Sequence, residues 1–152
     1  MLFSPLLRMP YSQVMSWHPE EKALLHMMRR SDGELLKHEY WANAFFTFHH
    51  AKSYELDNCI IMDCCGYSDG SAIQTLTIEE LKAGKPPLAA ESKDQTNFYR
   101  FVLRLQIPSV SAIPQEDGRI KCTHEVIDKI FNFPRYNYVA VNGRPYRFVY
   151  GV

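Results

Sequence analysis

The chain has 152 residues, 46% of them apolar and 13% aromatic, which is enough for one folded domain with its own core and excludes a disordered chain. Lys and Arg together number 17, as do Asp and Glu, so no net charge steers the chain toward nucleic acid or an acidic ligand. No run of 18 apolar residues occurs, which excludes a transmembrane helix.

In chain order, residues Met1 to Gln13 follow no steady period, and Pro5 and Pro10 predict irregular structure. The same stretch lacks a basic region, so it makes a poor signal peptide. With Arg8 the only basic residue before Lys22, a mitochondrial presequence is also weakly supported. Trp17 to Lys22 reads as a polar turn. Ala23–Arg30 reads as a strand, Ser31-Asp32-Gly33-Glu34 as a tight turn, and Leu35–Tyr40 as the returning strand.

The richest stretch is Ala44–Cys65. An aromatic run, Phe45-Phe46-Thr47-Phe48, ends in His49 and His50, and a turn at Leu56-Asp57-Asn58 leads into Cys59-Ile60-Ile61-Met62 and then Asp63-Cys64-Cys65. Two β-rich runs about a turn predict an antiparallel hairpin. Strand alternation puts His49 on the side of Phe45 and Thr47, and His50 on the side of Phe46 and Phe48. Periodicity alone does not choose between the two histidines. Glu55, Asp57 and Asp63 offer carboxylates, but Asp57-Asn58 is explained by turn chemistry.

Further along, Thr77-Ile78-Glu79-Glu80 is a capping box that opens a short helix at Ile78–Ala83, ended by Gly84 and Pro86-Pro87. Lys85–Thr96 reads as an exposed connection. Phe98–Ile107 is the clearest strand, with Phe101, Leu103, Leu105 and Ile107 on one face. A turn at Glu116-Asp117-Gly118-Arg119 precedes Ile120–His124. The chain closes on Tyr136–Val141, an Asn142-Gly143 pair of the hairpin type, and Arg144–Val152. Repeated short hairpins with a single short helix predict an all-β fold.

The four cysteines (Cys59, Cys64, Cys65 and Cys122) read as buried free thiols rather than disulfides or a zinc site, and a cytoplasmic location follows from that reading. His18, His26, His38 and His124 have no metal-like spacing. No phosphate-binding glycine loop, nucleophile elbow or Cys-x-x-Cys pair is present. The aromatics Phe45, Phe46, Phe48, Tyr146, Phe148 and Tyr150 fit a lining for a long apolar molecule or, at strand spacing, ordinary core.

Three blocks carry a resemblance. They are the His49 stretch read as FHHxxxYExDxCIIxDxC, Asp117 to Glu125, and Phe131-Asn132-Phe133-Pro134 continuing to Gly143-Arg144-Pro145-Tyr146 and Tyr150-Gly151. In this order they resemble the carotenoid cleavage oxygenases, which include the β-carotene oxygenases and the retinal-pigment-epithelium isomerohydrolase. The resemblance implies a partial seven-bladed β-propeller, about two blades of antiparallel strands, with residues 1–152 as one internal segment of a longer fold. It implies a non-haem Fe(2+) cofactor held by four histidines, of which His49 matches one, and a carotenoid or retinoid substrate whose polyene double bond is split by dioxygen. It also implies peripheral membrane contact. Asn132 stands where the family carries a glutamate that accepts a hydrogen bond from a ligand histidine; an amide accepts but brings no charge. The family's other chemistry, retinyl ester isomerohydrolysis, and a non-catalytic remnant or interaction module are the alternative readings. Three of the four iron ligands are expected to lie outside these 152 residues. Two blades taken alone are expected to be poorly stable, because they leave strand edges unpaired.

Overall fold

The computed structural model describes residues 11–75, 77–84, 96–105, 115–116 and 118–152. The expected irregular start through Pro10, most of the Lys85–Thr96 connection, the strand end at Gln106 and Ile107, and Asp117 of the turn lie outside these residues.

Strand β3 (Phe46–Leu56) and strand β4 (Cys59–Tyr67) form the predicted hairpin. Asp57 (φ 47°) and Asn58 (φ 59°) make its two-residue turn, both in the left-handed region that a tight hairpin needs and that short polar side chains tolerate. Strand β5 (Asn97–Arg104) pairs with β4, and strand β8 (His124–Lys129) pairs with β5, giving an antiparallel sheet in the order β3-β4-β5-β8. Phe101 and Leu103 are buried on one face of β5 while Val102 is exposed on the other, as the alternation predicts.

A second sheet runs β1 (Ala23–Leu25), β2 (Tyr40–Ala42), β7 (Arg119–Lys121), β6 (Gln115–Glu116). Here the β1–β2 hairpin is narrower than its sequence suggests. Its strands are three residues each, and only a Met28–Leu35 bridge continues the ladder toward the Asp32-Gly33 turn. The pairing of β2 with β7 is parallel, Tyr40 opposite Ile120, and so departs from an all-antiparallel reading. Ile120–His124 is also not one strand. It divides at Cys122, with β7 in the second sheet and β8 in the first. The Tyr40 hydroxyl donates to the Arg104 carbonyl at 2.5 Å and ties the two sheets together over a core of Leu25, Tyr40, Cys64, Phe101, Leu103 and Ile120.

Four single-turn helices occur among the described residues, where one was expected: α1 (Tyr11–Val14), α2 (Ala72–Thr75), α3 (Ile78–Lys82) and α4 (Tyr138–Val141). The predicted cap of α3 is present, with the Glu80 N–H donating to Thr77 Oγ1 at 3.3 Å. Helix α4 replaces the expected last hairpin. Asn137 Oδ1 accepts from the Ala140 N–H at 3.1 Å and starts a helical turn, and Asn142 at φ −59° cannot enter a type I′ turn. The chain instead returns through a short ladder. Asn132 and Val152 exchange bonds at 2.6 and 3.0 Å, and Arg135 and Tyr150 at 2.7 and 2.8 Å. Gly151 is required there, because a Cβ would lie 2.5 Å from the Phe131 ring and 2.7 Å from the Asn132 carbonyl oxygen. Residues 131–152 form a strap across one face of the β3-β4-β5-β8 sheet, and the β1–β2 hairpin lies over the other.

Candidate functional site

Strand β3 carries two more residues than its partner. Phe48 and Ala51 have no opposite number on β4, so the register steps between Thr47 and His49 and again between His50 and Lys52. Each bulge shifts the alternation by one residue. The outcome corrects the simple parity reading. His50, not His49, faces the same cavity as Phe45 and Thr47, whereas His49 lies on the strap face. The His49 ring is half-buried, 4.9 Å from the Phe133 ring and 6.3 Å from that of Phe48.

Asn132 reaches the same spot from the strap. It is 9% exposed, its Nδ2 donates to the Tyr67 hydroxyl at 2.9 Å, and its Oδ1 accepts from the Phe133 N–H at 2.9 Å. Tyr67 is fully buried, and burial raises its pKa against the lowering effect of hydrogen bonds from Thr96 and Asn132. The amide is thus engaged by Tyr67 and its own chain rather than by His49. Phe133 (φ 50°) and Ile130 (φ 55°) bracket it in the left-handed region, which costs a bulky or β-branched side chain about 1–3 kcal/mol.

Beside this pair runs a row of charges that the sequence did not advertise. Lys52 lies opposite Asp63, and Asp63 opposite Arg100. Asp63 is fully buried and takes a two-pronged ion pair from Arg100, Nε to Oδ1 and Nη2 to Oδ2, each at 2.8 Å. The Tyr146 hydroxyl adds a bond to Oδ2 at 2.5 Å. Lys52 is buried too. Its ammonium donates to the Val141 carbonyl and stands 4.5 Å from the Tyr146 ring and 4.9 Å from that of Tyr136. Burial pulls the Lys52 pKa down while Asp63 pulls it up, and the first effect is larger. Burial and the bond to Asp63 both push the Tyr146 hydroxyl up. In sequence Asp63 stands near Glu55 and Asp57, but its partners are Arg100 and Tyr146, 37 and 83 residues away.

The other histidines are dispersed. His18 meets Glu20 at 3.4 Å, His124 stacks on Tyr99 at 4.1 Å with burial lowering its pKa, and His26 and His38 line the cavity that His50 faces. Among the described residues no group of three His, Cys, Asp or Glu side chains converges as a metal site. His49 alone is one donor, and one imidazole does not fit a resident metal ion. The aromatics do not form one lining either. Phe45 packs on Phe101 at 5.2 Å, Tyr146 belongs to the charge row, and Phe148 and Tyr150 are exposed. All four cysteines are free. Cys64, Cys65 and Cys122 are buried, and burial pushes their thiols up to about 12, 11 and 11. No helix among the described residues is long and apolar enough to cross a membrane.

Comparison with known proteins gives one consistent answer. The family described as RPE65, retinal pigment epithelial membrane protein, matches residues 2–152. The mitochondrial carotenoid-cleaving dioxygenase of Mustela putorius furo is 27% identical over 99% of this chain and 32% of its own length. The beta,beta-carotene 15,15'-dioxygenase of Homo sapiens is 25% identical over 94% of this chain and 28% of its own. The chain therefore spans less than a third of the length of these relatives. Among solved structures, an ACO/RPE65 chimera superposes with a TM-score of 0.61 at 23% identity, over 88% of this chain and 24% of the other. Cobalt-substituted Synechocystis ACO superposes with a TM-score of 0.54 at 22% identity, again over 88% of this chain and 24% of the other. At such identities the structural likeness speaks for the fold alone.

Proposed function

The chain belongs to the retinal pigment epithelial membrane protein family, the carotenoid oxygenases, and on that premise we propose that it is one segment of a polyene-cleaving dioxygenase. In this reading residues 1–152 are a partial propeller segment, the substrate is a carotenoid or retinoid, and His49 is one of the histidines that hold Fe(II). Iron would supply the dioxygen chemistry, and its other ligands would come from the rest of a protein of the relatives' length. The observation that carries the reading is the meeting of His49 with the Phe131-Asn132-Phe133-Pro134 motif, with the His49 and Phe133 rings 4.9 Å apart across 84 residues of chain. Asn132, expected to position that histidine, is one residue from the contact, with its amide bonded to Tyr67 and to the Phe133 N–H. Contact with membrane would be peripheral. We place the protein in the cytoplasm on the strength of its four free thiols, although the ferret relative is named mitochondrial.

A second reading has its own support. The Asn132 amide is engaged by Tyr67 and the Phe133 N–H, which leaves His49 without the acidic hydrogen-bond partner that raises the basicity of a metal-bound imidazole. That favours a non-catalytic member.

The experiment is to purify the longest frame-continuous product that contains this chain, measure its iron, and offer it β-carotene and a retinyl ester separately. The dioxygenase reading expects iron near one per chain, loss of that iron in His49→Ala, and aldehyde products from the carotenoid. A retinol product from the ester alone would select the isomerohydrolase chemistry. An iron-free, inert product would leave the non-catalytic reading.

A further inference from the structure

Three consecutive residues of the strap land on three consecutive strands of the β3-β4-β5-β8 sheet. The Phe131 ring packs on Phe98 of β5 at 4.9 Å, the Asn132 amide bonds the Tyr67 hydroxyl of β4 at 2.9 Å, and the Phe133 ring meets His49 of β3 at 4.9 Å. The strands supply a matching row. Phe98 and His49 both lie opposite Cys65, and Tyr67, two residues beyond Cys65, shares its face.

Side chains of an extended chain alternate, so three in succession reach one surface only where the backbone breaks that alternation. Phe133 supplies the break at φ 50°, with its N–H donating to Asn132 Oδ1 at 2.9 Å. The left-handed region is costly for a bulky side chain and persists only where the surroundings hold it. Two of the three contacts are ring on ring and tolerate sliding. The middle one does not. A strap moved by one residue would part the Asn132 amide, which is 9% exposed, from the buried Tyr67 hydroxyl, and a buried amide without its partner is penalised.

From this one-residue-per-strand crossing we propose that Tyr67, acting through Asn132, is a positioning residue for His49. Its hydroxyl fixes the register of the strap and so puts Phe133, rather than a neighbouring strap residue, against the imidazole. The bearing of this on function rests on the reading of His49 as a site residue; the geometry does not.

The test uses the 152-residue chain with 13C-labelled histidine at one fixed pH. It reads the ring protons of His49, assigned by their loss in His49→Gln. In the parent chain an Overhauser contact to the Phe133 ring is expected, with a ring-current shift that Phe133→Leu removes and Phe133→Tyr retains, both at a residue 55% exposed. Tyr67→Phe keeps the ring and deletes only the hydroxyl. It should abolish the Phe133 contact and as much of the shift as Phe133→Leu does, while His26 and His38, which line the cavity on the other face, keep their signals. Asn132→Ala removes the same bond from the strap side and should give the same loss. A bond of purely structural value would lower the urea midpoint of these variants and leave the His49 signals in place, which would overturn the proposal. Disagreement between the two variants, or no Phe133 contact in the parent chain, would overturn it as well. None of these measurements reads iron or substrate, so failure here and failure of the dioxygenase reading are separate results.

Discussion

The two faces of the β3-β4-β5-β8 sheet are built by opposite means. The strap face is held by buried polar chemistry: Asp63 is paired with Arg100 and Tyr146, Lys52 stands among tyrosines, and Asn132 bonds Tyr67. The hairpin face borders an open cavity lined by apolar side chains such as Phe45, Ile60, Met62 and Leu103, and also by charged ones such as Arg30, Lys37 and Glu55. A buried ion pair adds little net stability over well-packed apolar residues, but it is unforgiving of the loss of one partner. The strap is therefore tied to the sheet by partners that cannot be removed singly, while the hairpin face leaves open space.

Removing one partner should give the largest effect. Asp63→Ala leaves Arg100 and Tyr146 facing a buried site with no carboxylate and should cost about 3–5 kcal/mol, read from the urea midpoint. On the other face, Met62→Ala deletes a side chain that already borders open space. Its cost should fall below the roughly 2–5 kcal/mol usual for such a truncation, because little new cavity is made. Equal costs would erase the contrast between the faces.

Alkaline pH sharpens the same contrast. Cys64, Cys65 and Cys122 have folded pKa values near 12, 11 and 11 against an unperturbed 9.0. Above pH 9 the unfolded chain loses those protons while the folded chain keeps them, so the unfolded state binds fewer protons and stability falls as pH rises. Each thiol contributes a slope of up to about 1.4 kcal/mol per pH unit until its folded pKa is passed. Lys52 acts the other way. Its folded pKa is lowered from 10.5, so between those values the unfolded state holds the extra proton and stability rises with pH. Urea midpoints from pH 8 to 11 should decline overall, and replacing the three thiols by alanine should flatten the decline.

A smaller effect is expected from Lys52→Met, which keeps the apolar stem but removes the bond to Val141 and the contacts with the tyrosine rings. A loss of about 1–3 kcal/mol is expected. Faster amide exchange at Arg135 and Tyr150, with β4 and β5 unchanged, would locate the loss in the strap. Uniform acceleration would mean that Lys52 serves the sheet as a whole.

Hairpins closed by local chemistry were legible in the sequence. Asp57-Asn58 declared its turn, Phe98 onward its alternation, and Thr77 its cap, because each depends on residues a few positions apart. The strap was not legible. Asn142-Gly143 reads as a hairpin turn until Asn137, five residues earlier, is seen to cap a helical turn. Parallel pairing of β2 with β7 joins residues 80 apart and leaves no local signature. Simple alternation gives the wrong facing for His49 because two bulges reset it, and only the partner strand reveals a bulge. His49 and Asn132 as candidates came from resemblance. The approach of the His49 ring to Phe133, the residue after Asn132, came from the fold.

The smallest effect is one of access rather than stability. Cys59 is half-buried at the turn end of the hairpin, opposite Leu56 and Arg104, whereas Cys64 and Cys65 are shielded on both sides, by the strap on one face and the hairpin core on the other. A thiol reagent at neutral pH should modify one cysteine quickly and the other three only at the rate of global opening, since burial both blocks them and holds them protonated. Cys122 lies under the β2–β7 pair, its N–H bonded to the Trp41 carbonyl at 2.7 Å. A second fast thiol mapped to Cys122, with Cys64 and Cys65 still slow, would show that the β1-β2-β7-β6 sheet opens by itself. The difference between the faces would then extend from packing to local unfolding.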